Sequence, residues 1–487
     1  MKTGSLVKTS PPGSLFAVAF IQGTWRPAGI HPVRVLRNPS KWNERIGRVP
    51  LASKAEIAAA ARAADTAQRQ WAKTSAKTRK KLLLDWASRL LSRRAELVAA
   101  MALEIGKPVS LGEEEVMFSL QLLQEIASSL EIESCLNFPQ RGAFAVSRGP
   151  VGVIGLITPW NNPLAIPLGK LAPAIGYGNT MVWKPAVLAP RIATIILQTL
   201  HAAGCPDGLV NMISGEREAA RHLVLSPEIK AISFSGSCKA GLTVAGLAAR
   251  QPKSVQLELG GNNAALVMPD CDIEKAAGEL AASAFSFSGQ RCTAPRRFIV
   301  HRAAQNVFKD ALTAAVLSLR MGLPSDPETK VGPLISRQKQ HKMRDLVKRS
   351  LAGGAKIFCG GTIPERWKDG CWFEPTVILS SASNLAVVQE ESFGPVAAFQ
   401  VARDINQAIE LLNGVPQGLV ASLYSQDPIC QRLFLEKAEC GVLKLNQTTL
   451  GVRPDAPFGG WKASGLGTFE HGFGNREFYT RIQTLYG

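Results

Sequence analysis

The chain has 487 residues, of which 46% are hydrophobic and 19% charged, a balance that excludes an intrinsically disordered protein and predicts two or three globular domains. Its net charge of +18 is spread along the chain without interleaved aromatic residues, so we predict a solvated basic surface that attracts anionic ligands and no nucleic-acid partner. No apolar run reaches the roughly 20 residues needed to span a bilayer, so no membrane partner is predicted.

The N-terminal part of the chain is predicted to be mainly helical. A strand-turn-strand at 16–25 precedes amphipathic helices at 54–67 and 77–106, and the helical pattern continues through 112–130. Ser53 is a plausible N-cap of the first of these helices.

Two further stretches alternate like strands without a helix partner, at 138–149 and near the C-terminus at 477–486. A strand of this kind exposes unpaired backbone groups that invite pairing with another chain. We therefore predict that the two strands pair across subunits, in a homodimer or homotetramer.

From residue 151 the pattern changes to short apolar strands that alternate with helices. The predicted strands are 151–158, 180–184, 210–214 and 231–235. The predicted helices are 164–174, 190–203, 218–225 and 238–251. This rhythm indicates a doubly wound parallel sheet, and a second α/β half follows over roughly 260–445. The predicted fold is therefore α/β, with two doubly wound domains and a small β arm for oligomerisation.

Each predicted strand ends in a polar or glycine-bearing turn, at 158–161, 184–186, 214–215 and 235–237. Because ligands of doubly wound sheets bind at the carboxyl ends of the strands, these turns predict one binding rim. No G-x-G-x-x-G motif follows a strand, and the nearest stretch is 236–241. Its glycines and helix N-terminus suit a pyrophosphate, but an ordinary glycine-rich turn is an equally good interpretation.

Glu258 lies between two leucines on a predicted strand. A carboxylate is costly to bury in its ionised form, so burial would raise its pKa and suit it to general-base catalysis. A solvent-facing glutamate on an alternating strand explains the same sequence equally well.

Cys292 lies between an apolar helix-like run and the strand-like residues 297–300. Gly289 permits close backbone approach, and Arg291 places a positive charge beside the sulfur, which lowers a thiol pKa. A reactive thiol and a buried structural cysteine both fit this stretch taken alone. The nine cysteines form no C-x-x-C pair, so we expect a reducing, cytoplasmic location and no metal site.

Seven stretches taken together resemble the aldehyde dehydrogenase superfamily. They occur in the family's order and spacing, at 159–161, 184–186, 234–237, 258–261, 289–293, 391–395 and 457–465. The resemblance implies an oxidoreductase that uses NAD or NADP. We accordingly assign an NAD(P)-binding domain to 14–132 and 150–258, a catalytic domain to 259–473, and oligomerisation strands to 133–149 and 474–487.

The resemblance also implies a mechanism. Cys292 would attack an aldehyde, and the Asn161 amide with the Cys292 backbone N–H would stabilise the oxyanion, where one such donor contributes about 2.7–4 kcal/mol to lowering the barrier. Hydride transfer to the cofactor would leave a thioester. Glu258 would activate the hydrolytic water, and Glu470 matches a second carboxylate that relays protons.

For the cofactor, the resemblance implies that Lys184 reaches the adenosine ribose and Glu391 the nicotinamide ribose. The other residues implied in cofactor binding are Thr158, Pro159, Trp160, Gly215, Gly236, Ser237, Leu259 and Phe393. Val187 departs from the family's pattern, because NAD-preferring members commonly carry a glutamate there. A carboxylate accepts a hydrogen bond from the 2′-hydroxyl and repels a 2′-phosphate, so valine predicts that NADP is tolerated.

The implied substrate residues are largely polar, and they are Asn162, Arg291, Thr293, Arg453 and Phe458. Asn162 and Gly169 stand where members that act on apolar aldehydes often carry aromatic side chains. The prediction is a polar or carboxylate-bearing semialdehyde, and the motifs around Cys292 and Glu391 resemble the succinylglutamate-semialdehyde branch. An equally open interpretation of Arg291 is that it faces away from the substrate and pairs structurally.

Two other functions fit parts of the sequence. A cysteine-dependent esterase or hydrolase would use the same thiol, but it needs a histidine partner, and none of the six histidines has a motif that links it to Cys292. A non-catalytic binding protein is the third interpretation, because a fold does not determine a function. The intact set of Cys292, Glu258 and Asn161 argues against it.

Overall fold

The computed structural model describes residues 15–27, 29–134, 144–380 and 382–486. Two short strands, β1 (Ala19–Ile21) and β2 (Thr24–Arg26), confirm the predicted strand-turn-strand. A hairpin of two longer strands, β3 (Val33–Asn38) and β4 (Lys41–Pro50), follows and was not predicted. The tip of this hairpin crosses to the second half of the chain, where the Trp42 N–H donates to the Asp369 carbonyl at 3.0 Å.

Four helices come next, and they are α1 (Lys54–Trp71), α2 (Ala76–Ser92), α3 (Arg94–Ile105) and α4 (Val109–Ser134). As predicted, Ser53 caps the first helix. Its hydroxyl accepts a hydrogen bond from the Glu56 N–H at 3.3 Å, and the Glu56 carboxylate accepts one from the Ser53 N–H at 2.7 Å. A strand, β5 (Phe144–Pro150), ends this region.

An eight-stranded sheet forms the centre of the first half. Its central strands are β6 (Val153–Ile157), β7 (Thr180–Lys184), β8 (Val210–Ile213), β9 (Ile229–Ser235) and β10 (Ser254–Glu258). The helices are α5 (Ala165–Gly176), α6 (Pro190–Ala202), α7 (Arg217–Leu225) and α8 (Cys238–Ala248). These strands are parallel in the order β8-β7-β6-β9-β10, which confirms the doubly wound prediction. The order reverses between β6 and β9, so the turns after these strands flank a crevice.

A second, seven-stranded sheet confirms the second α/β half. The strands here are β11 (Ala264–Val267), β12 (Arg297–His301), β13 (Lys356–Cys359), β14 (Thr376–Leu379), β15 (Val396–Ala402), β16 (Gln417–Gly418), β17 (Val420–Tyr424) and β18 (Val442–Leu445). All except β16 form the sheet, in the order β13-β14-β15-β12-β11-β17-β18. The helices are α9 (Ile273–Phe285), α10 (Gln305–Ser318), α11 (Arg337–Ala352), α12 (Ala386–Gln389), α13 (Ile405–Asn413) and α14 (Pro428–Lys437).

The C-terminal segment returns to the first sheet. Its elements are β19 (Trp461–Lys462), β20 (Gly465–Gly467), α15 (Gly472–Tyr479) and β21 (Thr480–Tyr486). Strand β20 pairs antiparallel with β10, and Gly465 lies opposite Glu258. The segment assigned to the catalytic domain therefore completes the cofactor-side sheet and carries residues 465–471 to the end of β10. Among the helices of the described ranges, none is long and apolar enough to cross a membrane.

The two predicted arm strands pair with each other within one chain, so the predicted pairing of one with the other across subunits is wrong. In the β5–β21 ribbon, Thr480 lies opposite Pro150 and Tyr486 opposite Phe144. The C-terminal strand is also shorter than predicted, because residues 477–479 belong to α15. Residues 138–143 of the first predicted strand lie outside the described residues.

Candidate active site

One cavity of about 1050 Å³ lies between the two halves of the chain. Its walls come from the turns after β6, β9 and β10 and from the loops before β12 and β15. The predicted site residues that line it are Pro159, Trp160, Asn161, Asn162, Gly236, Ser237, Glu258, Leu259, Arg291, Cys292, Thr293, Glu391, Phe393, Phe458 and Glu470. Those that do not line it are Thr158, Lys184, Val187, Gly215 and Arg453.

The loop before Cys292 has an unusual backbone. Phe287, Ser288 and Gly289 have φ angles of 52°, 54° and 65°. Each of the two non-glycine residues costs about 1–3 kcal/mol in this conformation. No side chain fits at Gly289, since a Cβ there would lie 2.5 Å from a backbone oxygen. The side chain of Gln290 stabilises the loop by donating a hydrogen bond to the Phe287 carbonyl at 3.2 Å. The loop places Cys292 in the cavity wall.

The thiol of Cys292 is protonated in the unliganded protein. Burial and the carboxylate of Glu391 raise the pKa of Cys292 to about 12, Glu258 adds to the rise, and Arg296 opposes it. The predicted net lowering of this pKa is wrong, because burial and the carboxylates outweigh Arg296 and also Arg291, whose charge interacts with the same sulfur. A base must therefore remove the proton before the sulfur becomes a nucleophile.

Asn161 follows β6, and its side chain reaches the loop that carries the thiol. The residue is 3% exposed, and its Nδ2 donates to the Gln290 carbonyl at 3.1 Å. A primary amide carries two N–H groups, so a second donor is left for a group bound at Cys292. The structure thus brings the predicted oxyanion donor and the predicted nucleophile together.

Glu258 ends β10 and is 8% exposed, so the solvent-facing interpretation of this residue is wrong. Burial and the nearby Glu470 carboxylate raise the pKa of Glu258 well above its usual range, and Lys170 opposes the rise. Its Oε2 has no hydrogen-bond partner among the described residues. A raised pKa makes the ionised carboxylate a stronger base than an exposed one, which suits general-base catalysis.

Lys170 is a site residue that the sequence analysis missed. It is fully buried on α5, forms an ion pair with Glu470 and donates to the Ser233 hydroxyl at 2.7 Å. The pair ties the end of the first sheet to the C-terminal segment. The signal for Lys170 was a single charged residue within the otherwise apolar sequence of α5.

Lys107 is a second missed residue, and it positions the turn that contains Asn161. The ammonium group is 1% exposed, pairs with Glu115 and donates to Asn162 Oδ1 at 2.7 Å. Glu115 Oε1 in turn accepts from the Leu164 N–H at 2.9 Å, at the start of α5. One buried ion pair thus fixes both the polar turn and the helix that follows it.

The two arginines predicted to bind substrate have different environments. Arg291 lines the cavity, and its guanidinium has no hydrogen bond or ion pair within the described ranges. Because it lines the cavity, the interpretation that it faces away is wrong, whereas the carboxylates of Glu114 and Glu115 lie close enough to attract its charge. Arg453 is 77% exposed and pairs with Asp455 at 2.6 Å, so it is not a wall of the cavity.

The residues expected to hold a nicotinamide ribose form one group. Glu391 Oε1 accepts from the Gly261 N–H at 3.2 Å and lies 3.8 Å from Arg296 Nη2. Phe393, with a φ of 42°, packs edge-on against Trp160 at 5.9 Å between ring centroids. On the opposite wall, Gly236 and Ser237 lie at the N-terminus of α8. A carboxylate for hydroxyl groups and a helix N-terminus for phosphates fit a dinucleotide.

Lys184 and Val187 lie outside the cavity wall. Lys184 Nζ donates to the Pro185 and Gly215 carbonyls, each at 3.1 Å, and burial lowers its pKa to about 8. Thr158 supports the same strand ends, accepting a hydrogen bond from Trp183 Nε1 at 2.9 Å. Val187 is half-buried against the cluster of Phe16, Leu36, Ile46 and Val49. Position 187 therefore presents an apolar side chain and no carboxylate.

His471 is the third residue that was missed. The sequence linked no histidine to Cys292, yet His471 lines the same cavity and is 7% exposed. No hydrogen bond joins it to the Cys292 sulfur in the described part of the chain, so the histidine–cysteine pair of a hydrolase is not formed.

The sequence matches the model of the Aldehyde dehydrogenase family over residues 29–485. A 2,5-dioxopentanoate dehydrogenase of Saccharolobus solfataricus is 33% identical over 457 residues, which cover 92% of this chain and 95% of that protein. An alpha-ketoglutarate semialdehyde dehydrogenase of Haloferax volcanii is 33% identical over 477 residues, covering 96% of this chain and 98% of that protein.

Solved structures agree with the sequence comparisons. A Mycobacterium tuberculosis aldehyde dehydrogenase complexed with NAD+ superposes with a TM-score of 0.93 at 29% identity, covering 98% of this chain and 99% of that one. The fold and the cavity between the two halves therefore belong to a common architecture.

The electrostatics of the thiol lead to a test. Glu391→Gln removes a negative charge that raises the pKa of Cys292, so alkylation of this cysteine by iodoacetamide near neutral pH should become about 3- to 10-fold faster. In the unsubstituted protein the rate should keep rising without a plateau between about pH 7 and 10, below the raised pKa. Labelled Cys292 is quantified by peptide mass spectrometry.

The neighbouring Glu390→Gln is the control, because Glu390 pairs with Arg349 at the surface and does not act on the thiol. Equally faster alkylation of Cys292 in both variants would contradict the assignment of Glu391 as a carboxylate that raises the thiol pKa.

Proposed function

This chain belongs to the aldehyde dehydrogenase family and is an oxidoreductase acting on aldehydes, and from that premise we propose that it oxidises a carboxylate-bearing semialdehyde to the corresponding dicarboxylate with NAD or NADP. The observation that carries the proposal is the convergence of Cys292, Asn161 and Glu258 on one cavity. Arg291, whose guanidinium forms no hydrogen bond or ion pair within the described residues, lies in the same wall.

The first step is attack of sulfur on the aldehyde carbon. Glu258 takes the thiol proton, directly or through water, because the raised pKa of its carboxyl group makes it a competent base. The second N–H of Asn161 and the backbone N–H of Cys292 then stabilise the oxygen that becomes negative. A dinucleotide held by Glu391 and by Gly236 and Ser237 would supply the hydride acceptor, and loss of hydride from this carbon would leave a thioester on Cys292.

The second step is hydrolysis of the thioester. Glu258 activates a water molecule, whose oxygen bonds to the carbonyl carbon as the sulfur leaves and regains a proton. The ion pair of Glu470 with Lys170, continued by Ser233, forms a buried polar path beside Glu258. We assign proton movement away from the site to this path, because Glu470 raises and Lys170 lowers the pKa of Glu258, so both charges act on its carboxyl group.

The nature of the substrate follows from the cavity wall and from the relatives. Arg291 offers a guanidinium that has no hydrogen bond or ion pair in the described part of the chain, and Asn162 gives a polar rather than an aromatic wall. A guanidinium binds a carboxylate through charge-assisted hydrogen bonds. The two relatives named above are named for the same compound, because 2,5-dioxopentanoate is alpha-ketoglutarate semialdehyde, which carries an aldehyde at one end and a carboxylate at the other.

The oligomer proposed from the sequence has support in the β5–β21 ribbon. An isolated two-stranded ribbon is marginally stable. One face exposes Phe144, Ile482 and Tyr486, which are 51%, 57% and 77% exposed. Contiguous exposed apolar side chains of this kind mark association sites. The occupant is a second copy of the chain, giving a homodimer or homotetramer.

The substrate is tested with a panel of aldehydes and both cofactors. Alpha-ketoglutarate semialdehyde and succinic semialdehyde should be oxidised with a higher kcat/KM than hexanal or benzaldehyde. Arg291→Gln should lower kcat/KM about 10- to 100-fold for the carboxylate-bearing aldehydes alone, because one charge-assisted bond is lost. Reduced-cofactor absorbance measures the rates.

Arg453→Gln is the matched control, since this arginine is held by Asp455 outside the cavity.

Cys292→Ala should abolish turnover and leave cofactor binding intact. Faster oxidation of hexanal than of the semialdehydes would refute the carboxylate proposal.

The cofactor is tested at position 187. The unsubstituted protein should bind NADP, whereas Val187→Glu should weaken NADP binding about 10- to 100-fold and leave NAD binding nearly unchanged, because a carboxylate repels the 2′-phosphate. Val187→Gln has the same size without the charge and is the control. Calorimetry measures the Kd values for both cofactors. Strong selectivity of the unsubstituted protein for NAD would contradict the prediction that NADP is tolerated.

The oligomeric state is tested with substitutions in β21, one strand of the β5–β21 ribbon. The double variant Ile482→Asp and Tyr486→Asp should dissociate the assembly to monomers, since buried charge at an apolar interface is costly. Gln483→Asp, on the other face of the same strand, should leave it assembled. Analytical ultracentrifugation gives the masses, and an unsubstituted protein that is monomeric would overturn the proposal.

A further inference from the structure

His471 has a backbone conformation that is almost restricted to glycine. Its φ is 62° and its ψ is 171°. A residue with a Cβ pays free energy to adopt this region, and such strain persists only where surrounding contacts impose it. Strained residues of this kind cluster at functional sites, so we expect the His471 side chain to have a function.

Contacts on both sides impose the conformation. Phe458 and Glu470 exchange two backbone hydrogen bonds of 2.7 and 2.8 Å, which fix the residue before His471. On the other side, the His471 N–H donates to Asn475 Oδ1 at 3.2 Å, at the start of α15. The imidazole is therefore held in a defined direction.

His471 lines the cavity that Cys292 also lines, and one edge of its ring packs against α5. A Cβ on Gly169 would lie 3.0 Å from His471 Cε1, so the imidazole occupies the space that a side chain at position 169 would take. The imidazole also lies 6.3 Å from the Phe458 ring, between centroids, and Phe458 belongs to the apolar cluster against which Cys292 packs.

The imidazole has an unused polar atom. Its Nδ1 is buried and has no hydrogen-bond partner among the described residues. Burial lowers the pKa of His471, with Glu470 opposing and Lys170 adding to the effect, so the ring is neutral and offers one donor and one acceptor. The other ring nitrogen, Nε2, also has no hydrogen bond within the described residues, so the ring that lines the cavity keeps a polar atom for a bound molecule.

We propose that His471 is a specificity-determining residue that hydrogen-bonds an oxygen at the far end of the substrate. The inference rests on the proposed oxidation of a carboxylate-bearing semialdehyde and names a contact for it. An apolar aldehyde of equal length leaves the imidazole unpaired, and sites built around a buried polar group reject such analogues strongly. Arg291 supplies charge, whereas His471 supplies a neutral hydrogen bond.

The test compares three aldehydes of equal chain length: alpha-ketoglutarate semialdehyde, glutarate semialdehyde and pentanal. His471→Leu should lower kcat/KM for alpha-ketoglutarate semialdehyde about 10- to 100-fold and leave pentanal unchanged or improved. His471→Gln keeps a donor and an acceptor and should retain most of the preference. If glutarate semialdehyde is affected as much, the bonded oxygen belongs to the carboxylate; if it is unaffected, the oxygen belongs to the oxo group.

A second variant separates this role from a structural one. His471→Gly relieves the backbone strain, so its melting temperature should equal or exceed that of the unsubstituted protein while its preference for polar aldehydes falls as in His471→Leu. Equal losses for all three aldehydes would overturn the inference and leave the proposed function standing. An unsubstituted protein that oxidises none of them would overturn both.

Discussion

The site depends on the enclosure of charged groups between two sheets. Three carboxylates, those of Glu258, Glu391 and Glu470, face the cavity that Cys292 lines, and each is withdrawn from bulk water. Taking a charge out of water is unfavourable unless a partner compensates it. Lys170 compensates Glu470, and Arg296 lies near Glu391, but Glu258 keeps a carboxyl oxygen without a partner. This imbalance leaves Glu258 as the group able to exchange a proton with the thiol.

Backbone strain is concentrated around the same cavity. Phe287, Ser288, Phe393 and His471 all have positive φ angles although none is a glycine. Each is held by packed neighbours, such as Trp160, whose ring contacts those of Phe287 and Phe393. The two halves of the chain thus stabilise loops that neither half would hold alone, and the loops present the nucleophile and the carboxylate of Glu391 to one space.

Some of the site was predictable because its signals are local. The turns after β6 and β9 were assigned from strand ends, and the parallel order β7-β6-β9-β10 confirms that they share one rim. Lys170, Lys107 and His471 gave no comparable signal. A buried lysine such as Lys170 resembles a surface residue on a helix until its partner is known, and that partner, Glu470, lies 300 positions along the chain. The β3–β4 hairpin was missed because its polar strands carry little alternation.

The sequence by itself determined the α/β class, the order of the strands along the chain and the residue types that chemistry at a thiol requires. These follow from periodicity and from motifs, which are properties of neighbouring residues. The tertiary structure alone decided that β20 returns to β10, that Arg296 lies close enough to the sulfur to oppose the rise in its pKa, and that Arg453 lies outside the cavity. Charge–charge interaction and desolvation depend on distance in space, and the distance between residues far apart in the chain is set only when the two halves fold against each other.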